Sequence, residues 1–405
     1  MSRRIRRWPA YKVLAALAAV SVLVPAVAIL ASASMREFVY KELSYRLVAE
    51  RAIGDAMGAE QIASRLNEFI SERTYPGGGP ALDTYAWNDL VRGIGWCDQV
   101  SWMLGTLLST ENIRGRLVAL GGRISDSGEP VGHVMAEVYL DDDWRLFDPL
   151  FGLKFMTPDG QLATLADVSA DLRLVTSQPR VRALPPEARH RLEQIYEALF
   201  TGESARAPLR GEPVMNARRP SRLRAMAQTA LEMTWRLFGA WGARAWQELY
   251  LTLLPRSLPA LDENQPGNRP VLHTSADDPA LFLYYRARNY HLYERTDLAE
   301  RAYDELIARY SASNYAEKSV YFLGRLKLRL RRDPEAAVAQ FTEFLDTYPE
   351  SAWTPRVHRE LGVAFEELGD RDSAKHHYSV ASGDLFVDAA YRSVRMSEGV
   401  ELVGQ

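Results

Sequence analysis

The last third of the chain repeats itself. Tyr303 to Gly324 begins Tyr-Asp-Glu-Leu-Ile-Ala-Arg-Tyr and ends Leu323-Gly324. It realigns on Phe341 to Gly362, which begins Phe-Thr-Glu-Phe-Leu-Asp-Thr-Tyr and ends Leu361-Gly362, at an offset of 38 residues. Ala287, Gly324 and Gly362 hold the same small-residue position. A repeat of this size cannot bury its apolar face alone, so the pattern demands stacked helical hairpins whose small residues let neighbouring helices approach. Residues 276–405 have room for about three such hairpins.

Ahead of the repeats lies a second constraint. The chain has one cysteine, Cys97, so no intramolecular disulfide can form. After it, Val100, Met103, Leu104, Leu107 and Leu108 form the apolar stripe of a core-packed helix. A strand is predicted from Arg116 to Leu120 and a loop over 121–132. His133 to Leu140 and Trp144 to Asp148 then flank Asp141-Asp142-Asp143 as a β-hairpin. Asp142 reads as a turn residue, because its acidic run lacks the spacing of a calcium loop.

Nucleophile, base and orienter therefore occur in order: Cys97 opening a helix, His133 opening a strand, Asp148 closing the next. A helix N-terminus and a nearby imidazolium favour the thiolate, which is the reactive form of cysteine. A carboxylate on the far ring nitrogen would fix the histidine tautomer. The hairpin makes this testable: an even turn such as Asp141-Asp142 places Asp148 opposite Met135, on the face of His133, and an odd one sends it to the other face. Val134, Ala136, Val138 and Leu140 are expected to form the core face, with Glu137 a polar neighbour of His133. His376 and His377 read as surface residues.

Gly95 to Cys97, His133 and Trp144 to Pro149 together resemble the transglutaminase-like superfamily of papain-type folds. The match covers about residues 85 to 155 well and 36 to 182 loosely. The resemblance implies Cys97 as nucleophile, His133 as base and acid, and Asp148 as orienter. It also implies an oxyanion donor upstream of the cysteine; no Gln stands within the preceding thirty residues, which leaves Trp87 and Asn88 as candidates beside the backbone N–H of Cys97. The repeats resemble the tetratricopeptide repeats of bacterial envelope proteins, with Asp333-Pro334 and Tyr348-Pro349 as punctuation and a period longer than about 34 residues.

Residues 3–7, Arg-Arg-Ile-Arg-Arg, precede a nearly uncharged stretch from Val13 to about Ser34. That length predicts a single-pass bacterial inner-membrane anchor through 13–34, with everything from residue 36 in the periplasm. The alternative is a secretory signal cut after Ala31-Ser32-Ala33. Residues 201–222 read as a linker, with Arg218, Arg219 and Arg222 available to anionic lipid. A helix from about Leu223 to Leu254 carries Trp235, Phe238, Trp241 and Trp246 and is expected to pack on a neighbouring domain. A net charge of -3 excludes a global cationic field, so no nucleic-acid partner is expected.

The expected architecture is an α+β papain/transglutaminase-like domain over 36–200 and an all-α tetratricopeptide-like solenoid over 276–405. Residues 201–275 link them, behind one N-terminal transmembrane helix within 1–35. Two functions fit it. In the first, a cysteine hydrolase or acyl transferase acts on a peptide or protein amide through a Cys97 thioester, with no cofactor and no metal. In the second, a non-catalytic envelope scaffold recruits a protein partner through residues 276–405.

Overall fold

The structure is a computed structural model that describes residues 32–76, 82, 86–182, 186–201, 222–252, 257–261, 270–274 and 276–381. The chain divides into two compact units, Met1–Leu47 with Arg218–Ser257 and Val48–Ala217 with Leu258–Gln405. Helix α1 (Ala33–Ile53) runs across the first boundary.

In the first unit, α1 meets the long tryptophan-bearing helix (Arg222–Thr252) through a stacked pair, Tyr40 and Tyr250, with ring centroids 4.3 Å apart. Gln247 Nε2 donates to Ser44 Oγ at 2.8 Å beside it. The long helix is interrupted at Gly239, whose φ of 52° and ψ of -145° only a residue without a Cβ adopts readily. Leu237, Phe238 and Trp241 around that break are exposed.

The second unit begins with α2 (Ala59–Arg73), a two-residue parallel pairing of β1 (Tyr75–Pro76) with β2 (Ile94–Gly95), and α3 (Ala86–Arg92) between them. Helix α4 (Cys97–Thr110) follows, and Ser101 Oγ ties it to the carbonyl of Val134 at 3.0 Å. An antiparallel sheet of order β3-β4-β5-β6 comprises Gly115–Arg123, Pro130–Leu140, Asp143–Asp148 and Leu153–Lys154. Strands β3 and β4 are longer than the sequence suggests: Gly121, Gly122 and Arg123 pair with Gly132, Val131 and Pro130, so half of the expected 121–132 loop is sheet. Glycines carry little strand propensity, and the pairing is imposed by the partner strand.

Short helices α5 (Leu165–Ala170), α6 (Arg173–Thr176) and α7 (Pro179–Arg182) lead to α8 (Pro186–Thr201). A cluster of Val118, Leu120, Met135, Leu146, Tyr196 and Leu199 joins α8 to one face of the sheet. This corrects the single core face expected from alternation. Ala136, Val138 and Leu140 are buried, but Met135 and Glu137 on the opposite face are buried too. The described residues are correspondingly more helical than an α+β domain with a solenoid implies, and the largest sheet among them has four strands.

The tryptophan-bearing helix is α9, and β7 (Ser257–Leu261) with β8 (Pro270–Thr274) makes a further two-stranded pair. Three helical hairpins follow: α10 (Pro279–Leu292) with α11 (Thr296–Arg309), α12 (Asn314–Leu326) with α13 (Pro334–Thr347), and α14 (Thr354–Glu367) with α15 (Arg371–Ala381). Asp278 and Asp333 cap α10 and α13 by accepting from Leu281 N and Ala336 N, each with proline at the first helical position. A Cβ on Gly324 would lie 2.5 Å from the Phe341 ring, and one on Gly362 2.5 Å from the Tyr378 ring. These are the small-residue positions of the repeat.

The membrane expectation is corrected: among the described residues, no helix is long and apolar enough to cross a membrane. The single-pass inner-membrane placement built on it is withdrawn. Residues 13–31 of the expected span, with the 202–221 part of the expected linker, lie outside the described residues.

Candidate active site

Cys97 is the first residue of α4, half-buried and a free thiol. The helix start is braced by its own third residue: Gln99 Oε1 accepts from Trp96 N at 2.9 Å, and Gln99 Nε2 donates to Asp89 Oδ2 of α3 at 3.1 Å. Asp89 in turn pairs with Arg92 at 2.8 Å. The amides of a first helical turn, that of Cys97 among them, have no acceptor within the helix.

His133 and Asp148 reach each other across the hairpin. Asp141 and Asp142 both adopt positive φ, 48° and 64°, and make the two-residue turn whose twist suits a tight hairpin. Leu140 pairs with Asp143 and Ala136 with Phe147, a register that puts Asp148 level with Met135 and on the His133 face. His133 Nε2 and Asp148 Oδ2 are 2.7 Å apart, both buried.

Asp148 is enclosed by donors. Besides His133, the hydroxyl of Tyr196 on α8 donates to the same Oδ2, while Leu150 N and Phe151 N donate to Oδ1 at 3.1 and 3.4 Å. With Nε2–H donating to this carboxylate, Nδ1 is the ring atom left to exchange a proton with Cys97. Burial pushes the His133 pKa down, but the charge and hydrogen bond of Asp148 and the interactions with Cys97 outweigh it and raise the pKa to about 10. The imidazolium form of His133 is the state those charges favour. Burial, then the Asp148 charge, holds the Tyr196 phenol well above its ordinary pKa, so it remains a donor. Phe151 and Tyr196 wall the imidazole, with ring centroids 5.8 and 6.3 Å away.

The oxyanion candidates Trp87 and Asn88 sit on α3, both fully buried. The Trp87 ring stacks on Tyr293 of the repeats at 6.1 Å. Glu137 forms an ion pair with Arg116 at 2.5 Å, and that guanidinium lies over the Trp144 ring. Sequence reasoning missed Tyr196. Its only local sign is an apolar position in an amphipathic helix 48 residues beyond its partner. His376 is exposed, whereas His377 is half-buried, with its Nδ1 2.9 Å from that of His358. A scan against protein-family models matches none, and a search of curated proteins finds no match.

Proposed function

We propose that the protein is a cysteine-dependent hydrolase of peptide or protein amides, related in chemistry to the transglutaminase-like enzymes. The observation that carries the reading is the 2.7 Å bond from His133 to Asp148, on a histidine coupled to a cysteine at a helix start. The Cys97 thiolate attacks the amide carbonyl, and the oxyanion is met by the N–H of Cys97. Collapse breaks the C–N bond, His133 gives its Nδ1 proton to the leaving amine, and a thioester remains on Sγ. Water, losing a proton to Nδ1, attacks the thioester; the acid leaves and the thiolate–imidazolium pair is restored. Trp96, immediately before the nucleophile, is 44% exposed and offers an aromatic surface for a substrate side chain.

An activated ester tests this. p-Nitrophenyl acetate should give a nitrophenolate burst and an acetyl group on Cys97 by mass spectrometry. Cys97→Ala should abolish both, and His133→Ala should slow acylation by about 10²–10⁴-fold. Acylation of the folded chain no faster than of the urea-unfolded chain would overturn the reading.

A further inference from the structure

The repeats meet α2 and α3 along a line of arginines. Arg288 and Arg325 each follow the small residue of their repeat, Ala287 and Gly324, and both are buried. Arg288 Nε donates to Val91 O at 2.8 Å and Arg325 Nη2 to Glu72 O at 2.7 Å. With Arg73 of α2 they line a small cavity whose other walls include Phe69, Phe322, His291 and Glu294.

Three guanidinium groups around one cavity repel one another in a poorly solvated interior. The acids at hand are committed. Glu294 is bonded to Arg51, and Glu360, 3.5 Å from Arg325, is shared with Arg329 and Arg359. The Glu72 side chain is exposed. Among the described residues, Arg73 Nε is sealed from solvent without a hydrogen-bond partner, and Arg325 Nε has the Glu360 carboxylate no nearer than 3.5 Å. Burial, then the charge of Arg325, lowers the Arg73 pKa to about 10. Burial and the charges of Arg288, Arg73 and Arg325 keep His291 neutral, its Nδ1 3.1 Å from the Tyr303 hydroxyl.

We propose that this cavity binds one small anion, a halide or the leading oxygen of a small oxyanion, between Arg73, Arg288 and Arg325, and that the anion locks the repeats onto α2. An enclosed guanidinium N–H without an acceptor, beside two further buried arginines, calls for negative charge. The cavity is small, which limits a ligand there to one atom-sized group. The site is independent of Cys97 chemistry.

Thermal unfolding of the full chain tests it, at constant ionic strength, as gluconate, too bulky for the cavity, is replaced by chloride, formate or phosphate. An anion bound only by the folded state raises the midpoint as its concentration rises. A rise of a few degrees is expected with chloride if a halide is the ligand, and with formate or phosphate if an oxyanion is. Arg73→Gln should remove the response, which separates binding from general salt effects, whereas Arg191→Gln, at an exposed pair with Glu129, should keep it. Equal midpoints in all anions, or an unchanged response in Arg73→Gln, overturn the proposal. If Arg73→Gln does not fold, crystals of the parent chain soaked in bromide and in formate decide. An anomalous bromide peak or formate density within hydrogen-bond reach of Arg73 Nε supports the site, and the absence of both overturns it.

Discussion

Nε2 of His133 and Oδ2 of Asp148 lie 2.7 Å apart although 15 residues separate them in sequence. The two-residue turn at Asp141-Asp142 brings them together, because strand pairing fixes which face each side chain takes. Inserting one glycine between Asp141 and Asp142 should slip β5 by one residue and carry Asp148 to the opposite face. Alkylation of Cys97, the only cysteine, by iodoacetamide near pH 6 reports the consequence. The insertion variant should react as slowly as His133→Ala, roughly 10-fold or more below the parent. Parental reactivity in the insertion variant would show that turn length does not govern the pair.

The raised His133 pKa, about 10, fixes a sign for stability against pH. Its ordinary value is about 6.5, so the folded state binds the proton more tightly than the unfolded chain does. The resulting stabilisation is fully present below about pH 6.5 and is lost as pH rises toward about 10. His133→Gln should flatten that decline in urea titrations across the same window. A decline equally steep in the variant would assign it to other groups.

Tyr196→Phe removes one of the donors to Asp148 while keeping the aromatic ring that packs on Phe200 and Phe155. A hydrogen bond to a carboxylate contributes about 1.5–3 kcal/mol, so unfolding free energy should fall by that order. A carboxylate with one donor fewer attracts the imidazolium more strongly, so the His133 titration followed by NMR should move upward. A downward or absent shift would mean the phenol does not share the charge of Asp148.

The site and the scaffold were legible in the sequence to different depths. His133 and Asp148 could be read together because strand alternation and turn length fix which face each side chain takes, while Cys97 was joined to them by its place at a helix start and by the resemblance to the transglutaminase-like superfamily. The hairpins of the repeat were readable because Gly324 and Gly362 mark the same close approach. Tyr196 was hidden, since an apolar-looking helical position does not announce a hydroxyl partner 48 residues earlier. The docking of Arg288 and Arg325 onto α2 and α3 was hidden for a similar reason: an arginine inside a helix reads as a solvated residue until its neighbour across the fold is known. The paired glycines of β3 read as loop because glycine has no strand preference of its own.

Two glycines separate the needs of the site from those of the repeats. A Cβ on Gly122 would overlap the carbonyl oxygen of Ala198 and come within 3.3 Å of Leu199 N, so α8 must move for an alanine to fit. Tyr196 lies on that helix, two residues before the clash. Gly122→Ala should therefore cost at least the 1–3 kcal/mol roughly typical of overpacking, and should also reproduce the His133 titration shift of Tyr196→Phe. Gly324→Ala drives a Cβ into the Phe341 ring, within the repeats, and should cost a similar amount with Cys97 alkylation unchanged. Urea titration with iodoacetamide kinetics on both variants checks the contrast. If Gly122→Ala lost stability but left the His133 titration untouched, α8 would be a prop for the sheet and not a part of the site.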